Sequence, residues 1–123
     1  MVENKIYELF PALFRDYRNE DFRSLLLFVV WTTIKENPGI TENKLKWTLT
    51  QNYAFSDADI NLALSSLVNS QMFNSVSRFE HTHRQSGRTI VHLRPKKSRL
   101  PEMHNVEKLL IKTNPNLMYL KAS

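Results

Sequence analysis

The sequence predicts a mainly α-helical domain that carries one small β-hairpin. Three observations predict it: apolar residues at helical spacing through the first 72 positions, a turn signal at residues 85–87, and a short β-branched run after that turn. Apolar residues that recur every three or four positions form one face of a helix. With 123 residues and 41% apolar content, the chain has room for a single domain over residues 1–123.

An N-terminal helical arm is predicted over residues 1–18. Pro11 interrupts its apolar stripe, because proline lacks an N–H and clashes with the preceding helical turn. We therefore expect a short helix before Pro11 and a second helix that begins at it. The arm either completes the core or forms a dimer interface. The stripe consists of Ile6, Leu9, Phe10, Leu13, Phe14 and Tyr17.

The longest helix is predicted over residues 20–36. It is apolar almost all round, and such a helix is covered by other elements on more than one side. We therefore expect it to lie at the centre of the core. The sequence Asn37-Pro38-Gly39 ends it, and a very short strand at Ile40 follows. Thr41 is a good N-cap for a second helix over residues 42–50.

A third helix is predicted over residues 57–70, after a loop at residues 51–55. Ser56 caps it, and Asp59 three residues later completes the pattern of a capping box. Its predicted buried stripe consists of Ile60, Ala63, Leu64, Leu67 and Val68. The opposite, exposed face is expected to contain Ala58, Asp59, Leu62, Ser65, Ser66 and Asn69.

The hairpin is the part of the chain that points most clearly to a function. Residues 81–99 contain six cationic side chains, three histidines and no carboxylate. Gln85-Ser86-Gly87 is a turn signal, because glycine readily adopts the positive φ that a tight turn often needs. The cations lie at the tip of the hairpin and on its exit segment: Arg84, Arg88, Arg94, Lys96, Lys97 and Arg99.

The C-terminal region, residues 100–123, is predicted to contain one more helix. We expect this helix over residues 102–113, where apolar residues again recur at helical spacing. Asn114-Pro115 ends it, and residues 116–123 are expected to form a loose tail.

Charge is distributed unevenly along the chain. Residues 1–72 have seven Lys and Arg against nine Asp and Glu, whereas residues 73–123 have ten against three. This asymmetry is typical of proteins with an anionic partner, usually a nucleic acid or a membrane surface, although a basic surface can also serve solubility alone. The longest apolar run, residues 25–31, is too short to cross a bilayer. We therefore expect a cytoplasmic protein with no membrane partner.

The composition gives no indication of enzymatic chemistry. The chain has no cysteine, which excludes disulfides and thiolate catalysis. Its two glycines, Gly39 and Gly87, are too few for a phosphate-cradling loop. No nucleophile elbow and no carboxylate dyad stand out, so we expect neither an enzyme nor a cofactor. Trp31 and Trp47 are interpreted as core residues.

Four histidines invite a metal site: His81, His83, His92 and His104. Zinc usually takes three or four ligands, and Glu80 is the one acidic residue beside the hairpin histidines. We interpret the hairpin histidines as polar strand residues that can contact phosphate, and we expect no metal.

The order of these elements over residues 20–97 resembles the winged-helix variant of the helix-turn-helix. The resemblance is carried by that order and by the passage from Leu64, Leu67 and Val68 through Met72-Phe73 into a hairpin with a basic tip. It implies a winged helix-turn-helix core with extra N- and C-terminal helices. In this superfamily the third helix usually enters the major groove of DNA, while the hairpin, called the wing, contacts the backbone or the minor groove.

The resemblance implies a small DNA-binding protein, a transcriptional regulator that contacts duplex DNA through its basic wing and its third helix. The N- and C-terminal helices have two interpretations: they complete the core, or they form the interface of a homodimer, since such DNA-binding proteins are often twofold symmetric. The six hairpin cations are predicted to contact phosphates or the minor groove. Weaker candidates for DNA contacts lie on the second and third helices: Lys44, Lys46, Ser65, Ser66 and Asn69.

The third helix departs from the usual pattern of a DNA-reading helix. It contains no Lys or Arg, so the common bidentate contact to guanine is missing, and Asp57 and Asp59 repel phosphates at its first turn. An alternative is therefore a winged-helix protein-interaction module of a transcription or replication assembly, with a protein partner at the Leu62 face. RNA is a third possibility, because a basic hairpin that contacts the backbone does not distinguish the two nucleic acids.

Overall fold

Five α-helices and three β-strands make up residues 20–53 and 55–121, the part of the chain that the computed structural model describes. In chain order they are α1 (Glu20–Glu36), β1 (Ile40–Thr41), α2 (Glu42–Asn52), α3 (Asp57–Val68), β2 (Val76–Thr82), β3 (Thr89–Pro95), a 3-10 helix (Lys97–Arg99), α4 (Leu100–Thr113) and α5 (Leu117–Lys121). The prediction of a mainly α-helical fold with a β-hairpin is confirmed. The predicted arm over residues 1–18 lies outside the described residues.

Helix α1 lies at the centre of the core, as its all-round apolar sequence predicts. Every side chain from Leu26 to Trp31 is at most 3% exposed. Helices α2, α3, α4 and α5 and strand β3 all pack against it. A helix with apolar side chains on every side is most stable when neighbouring elements exclude water from all of them.

A buried polar group connects α1 to α4. The Glu107 carboxylate on α4 is 2% exposed, and it accepts a hydrogen bond of 3.1 Å from the indole N–H of Trp31. The Nζ of Lys35 lies 2.8 and 2.9 Å from the two carboxylate oxygens. A buried carboxylate is tolerated only where it is paired and hydrogen-bonded, and these two partners meet that condition.

Local capping fixes the starts of α2 and α3 as predicted. The hydroxyl of Thr41 accepts from the backbone N–H of Lys44 at 3.1 Å. Ser56 and Asp59 form a reciprocal capping box, with hydrogen bonds of 3.1 and 2.9 Å. Each of these bonds satisfies an N–H group that lacks a partner within its helix.

The ends of α2 and α3 differ from the predicted ones. α2 extends to Asn52, two residues past the predicted end, and its last turn is closed by a hydrogen bond from the N–H of Tyr53 to Leu49. α3 ends at Val68 instead of residue 70. Asn69 leaves the helical conformation there, and its side-chain oxygen accepts from the N–H of Gln71 at 2.8 Å. This local bond competes with continuation of the helix.

The predicted hairpin is formed by β2 and β3, which pair antiparallel from Val76 opposite Pro95 to Thr82 opposite Thr89. β1 pairs with the other edge of β3, which gives a three-stranded sheet of order β1-β3-β2. Gly87 in the turn has φ +69°, and a side chain there would meet nothing within 4 Å. Glycine is therefore favoured at this position by backbone conformation and not by lack of space.

The C-terminal region contains more structure than predicted. α4 starts at Leu100, two residues before the predicted start, and ends at Thr113 as expected. The predicted loose tail is wrong for residues 117–121, which form α5. Leu117 is 1% exposed, and α5 packs on α1 and α4. Burial of this side chain offsets the entropy lost when the segment is ordered.

Within residues 20–53 and 55–121, no helix is both long enough and apolar enough to span a lipid bilayer.

Candidate nucleic-acid interface

The two faces of the hairpin have different surroundings. The strand register places Val76, Arg78, Glu80 and Thr82 opposite Pro95, Leu93, Val91 and Thr89, and we call this the inner face. Val76 and Leu93 are buried, so the inner face covers the helical core. The outer face consists of Ser77, Phe79 and His81 opposite Arg94, His92 and Ile90.

The tip of the hairpin carries two exposed guanidinium groups, those of Arg84 and Arg88. The turn that holds them is closed by hydrogen bonds from the N–H of His83 to the Arg88 carbonyl (2.7 Å) and from the N–H of Gly87 to the His83 carbonyl (2.9 Å). Neither arginine forms an ion pair with another described residue. Their positive charge is therefore available to an anionic partner.

Two further exposed cations lie along β3 and just beyond it. Arg94 is on the outer face, with its guanidinium carbon 4.9 Å from the centroid of the Phe79 ring. Lys97 begins the 3-10 helix. Neither residue is paired with a carboxylate within residues 20–53 and 55–121.

The other two predicted cations of this segment have partners inside the protein. Lys96 is half-buried, and its Nζ donates to the side-chain oxygen of Asn74. Arg99 donates from Nε and Nη2 to the carbonyl oxygen of Phe73, at 3.2 and 3.1 Å, and pairs with Glu102. These bonds hold the exit of the hairpin against the residues that lead into it. We therefore assign Lys96 and Arg99 a structural role and leave them out of the interface.

The two lysines of α2 that were predicted to contact DNA also differ, since only one of them has an internal partner. Lys44 is exposed and is not ion-paired with any residue that the structure describes. Lys46 pairs with Glu42 at 3.3 Å, and the same carboxylate pairs with Arg78 of the inner face at 2.8 Å. Glu42 thus pairs with two cations at once, and its single negative charge offsets one of their two positive charges. Sequence reasoning missed this pair because Arg78 and Glu42 are 36 positions apart.

A cleft of about 380 Å³, which we call the helix–hairpin cleft, separates α3 from the inner face. Asn61 and Ser65 offer polar groups there, but the Glu42–Arg78 pair also lines the cleft. On the inner face itself, Glu80 contributes a further negative charge. The cleft therefore has little net attraction for phosphates, and the unpaired cations lie outside it. Its lining consists of Glu42, Asn61, Leu64, Ser65, Val68 and Arg78.

Only some of the polar residues of α3 that were predicted to contact DNA are exposed. Ser65 and Asn69 are exposed as expected. The placement of Ser66 on the exposed face is wrong, because Ser66 is fully buried and its hydroxyl donates to the carbonyl of Leu62 at 3.1 Å. Leu62 itself is half-buried and packs against the core. The Leu62 face is therefore less available to a protein partner than the sequence indicates.

Trp47 is the largest exposed side chain that the sequence analysis placed wrongly. Trp31 is buried as predicted, but Trp47 on α2 is 66% exposed. The buried side of α2 is supplied by Leu45 and Leu49. Trp47 lies two positions from each of them, about 200° around the helix, and so faces the other way. The helical periodicity of α2 indicated that Trp47 is exposed, but the prediction gave more weight to the apolar character of tryptophan.

The hairpin histidines have different surroundings. His92 stacks on Phe79, with ring centroids 5.2 Å apart, and its Nδ1 lies 3.0 Å from the carbonyl oxygen of Gly39. His81 is opposite Ile90, and His83 lies beyond the strand. Among the described residues, no three metal-ligating side chains come together.

Comparisons with protein-family models, curated proteins and solved structures find no match to this chain.

Proposed function

We propose that this chain is a winged-helix DNA-binding protein that regulates transcription and uses the β2–β3 hairpin as its wing. The order α1-β1-α2-α3-β2-β3 and the sheet order β1-β3-β2 support this assignment. One observation carries the functional part. Five exposed cations on α2, on the hairpin and just beyond it have no carboxylate partner among the described residues: Arg84, Arg88, Arg94, Lys97 and Lys44.

The proposed interface works mainly by neutralising backbone phosphates. Cationic side chains displace the counterions condensed on the nucleic acid, and this release drives binding to any sequence. Arg84 and Arg88 flank a narrow turn, which suits insertion into a minor groove. The third helix has a smaller role, because Asp57 begins it and Glu42 lines the cleft beside it. Ser65 and Asn69 are its remaining exposed candidates for base contacts.

The proposal is tested by replacing both tip arginines, Arg84→Ala and Arg88→Ala together, and measuring affinity for a random-sequence duplex at low salt. We expect weaker binding to every duplex, because each arginine contributes a phosphate contact. The matched control is Lys108→Ala with Lys112→Ala, which removes the same charge from exposed positions on α4. Equal affinity of the two double variants would remove the wing from the proposal.

A second candidate function is favoured by Trp47. Trp47 is 66% exposed, and tryptophan is one of the residues enriched in hot spots for protein binding. On this hypothesis the chain is an interaction module of a transcription or replication assembly. Absence of any retardation of random duplex by micromolar wild-type protein would favour it. Trp47→Ser would then abolish capture of the partner, whereas on the first hypothesis it leaves the salt dependence of DNA binding unchanged.

Self-association is part of the same proposal. Met118 and Tyr119 on α5 are 60% and 79% exposed, an apolar surface that a second copy of the chain would cover. Sedimentation equilibrium of the wild type and of the Met118→Ser, Tyr119→Ser variant tests for a dimer through this helix. A monomeric wild type would contradict it.

A further inference from the structure

A second groove lies at the other end of the hairpin, away from the helix–hairpin cleft. It has a volume of about 420 Å³ and connects the outer face to the start of α4. We call it the outer groove. Its lining combines cations with an apolar wall and, within the described residues, contains no carboxylate; the members are Lys35, Pro38, Arg94, Pro95, Lys97 and Leu100.

The guanidinium of Arg94 is held in a fixed layer at the edge of this groove. Its central carbon lies 4.9 Å from the Phe79 ring centroid, and Phe79 in turn stacks on His92 with an interplanar angle of 11°. His92 is fixed through Gly39, whose carbonyl oxygen is 3.0 Å from its Nδ1. A guanidinium that rests on an aromatic ring is already oriented before a ligand arrives, so less entropy is lost on binding.

The remaining charges near the outer groove favour an anion at its rim. The ammonium of Lys35 is occupied by Glu107, so Lys35 contributes mainly its aliphatic stem. Lys97 is exposed and has no ion-pair partner in the described part of the chain. The groove therefore offers a planar cation, an apolar wall and one unpaired ammonium.

We propose that the outer groove binds one unpaired nucleotide of a nucleic-acid strand. Its base stacks on the Arg94 guanidinium against the Pro38 and Pro95 wall, and its phosphate pairs with Lys97. Bases of single strands stack on arginine planes as well as on aromatic rings, which a paired base inside a duplex cannot do. This inference rests on the proposed function, and it names the preferred partner as a duplex with a single-stranded extension.

The distance between the two cationic regions agrees with this partner. Arg88 and Arg94 are six residues apart along a hairpin strand, which corresponds to about 20 Å at the usual rise per residue. One strand of B-form DNA covers that length in about six nucleotides. The tip can therefore hold the duplex backbone while the outer groove receives a nucleotide beyond the duplex end.

The test compares a blunt duplex with the same duplex carrying a thymidine extension at its 5′ or 3′ end, by fluorescence polarisation at one salt concentration. For the wild type, we expect one of the two extensions to raise affinity about tenfold, as a single stacked base does. Arg94→Lys keeps the charge but removes the planar group, so the ratio of extended-duplex to blunt-duplex affinity should fall to about one in this variant. The matched control, Arg88→Lys, should keep the preference.

Equal wild-type affinity for the blunt and both extended duplexes would overturn the inference and leave the proposed function standing. An extension preference that survives in Arg94→Lys would also overturn it, because the stacking plane would then lie elsewhere. Failure of the wild type to bind any of these duplexes would overturn the inference and the proposed function together.

Discussion

Glu42 determines which of the basic residues can contact a ligand. Its carboxylate accepts from Arg78 in the helix–hairpin cleft and also pairs with Lys46. Without this carboxylate, Arg78 would be an unpaired cation in the lining of the cleft. We infer that Glu42 shifts nucleic-acid binding away from α3 and towards the wing.

Replacement of Glu42 tests this role directly. Glu42→Gln should strengthen nucleic-acid binding at low salt and steepen the slope of log K against log salt by about one unit, because one negative charge is removed from beside Arg78 and Lys46. Stability should fall by about 1 kcal/mol, since Glu42 is half-buried but both of its partners stay partly in contact with water.

The control for that variant is Glu102→Gln, which removes one carboxylate from the pair with Arg99. The carbonyl of Phe73 still holds the Arg99 guanidinium in this variant, so we expect an unchanged salt slope. A Glu42→Gln protein with the salt slope of the wild type would contradict the inference.

Glu107 is a polar residue whose loss should destabilise the fold strongly. Glu107→Ala leaves the buried indole N–H of Trp31 without its acceptor and removes the partner of Lys35. We expect a loss of about 2–4 kcal/mol in the free energy of unfolding, at the lower end of buried-pair values because the Lys35 ammonium can reach water. Glu107→Gln keeps an acceptor for Trp31 and should lose less. Urea unfolding measures both variants, and equal stabilities would show that the indole bond contributes nothing.

The elements that could be predicted from the sequence are those fixed by local interactions. Thr41 and Ser56 cap helices through bonds to residues three positions away, and Gly87 sets the turn through its own backbone. Such signals are readable without knowledge of the fold. Glu107 and Trp31 are 76 positions apart, so no local pattern could place them together.

The last element, α5, shows where local reasoning fails. Pro115 and the short polar segment before it predict an end to regular structure, and α4 does end there. Yet Leu117 inserts into the core, so residues 117–121 are ordered by tertiary packing. Helix propensity and periodicity over five residues are too weak to predict such docking.

A pair of substitutions on α5 tests that packing. Leu117→Ala should lower the free energy of unfolding by about 2–3 kcal/mol, because it removes a buried side chain and leaves a cavity. Met118→Ala next to it should leave stability nearly unchanged, since Met118 is 60% exposed. Urea midpoints followed by tryptophan fluorescence compare the two. A Leu117→Ala protein as stable as Met118→Ala would show that α5 does not hold the core.

At the scale of the whole molecule, the charge pattern of the sequence and the fold together define the candidate site. The sequence correctly located the excess of cations after residue 73. It could not show which of them have internal partners, because Lys96 is bonded to Asn74 and Arg99 to Phe73 across the base of the hairpin. On the hairpin, its exit segment and α2, the cations without a carboxylate partner lie at the tip, on the outer face, at the start of the 3-10 helix and on α2. These cationic side chains form no ion pairs within the described residues, so they can contact a ligand.

The salt dependence of DNA binding tests this account most directly. If five cations neutralise phosphates, the wild type should give a slope of log K against log salt of about −4.5, and the Arg84→Ala, Arg88→Ala protein about −2.7. The Lys108→Ala, Lys112→Ala protein should keep the wild-type slope. A wild-type slope near zero, or the same slope in the Arg84→Ala, Arg88→Ala protein as in the wild type, would contradict the claim that the hairpin tip holds the nucleic-acid backbone.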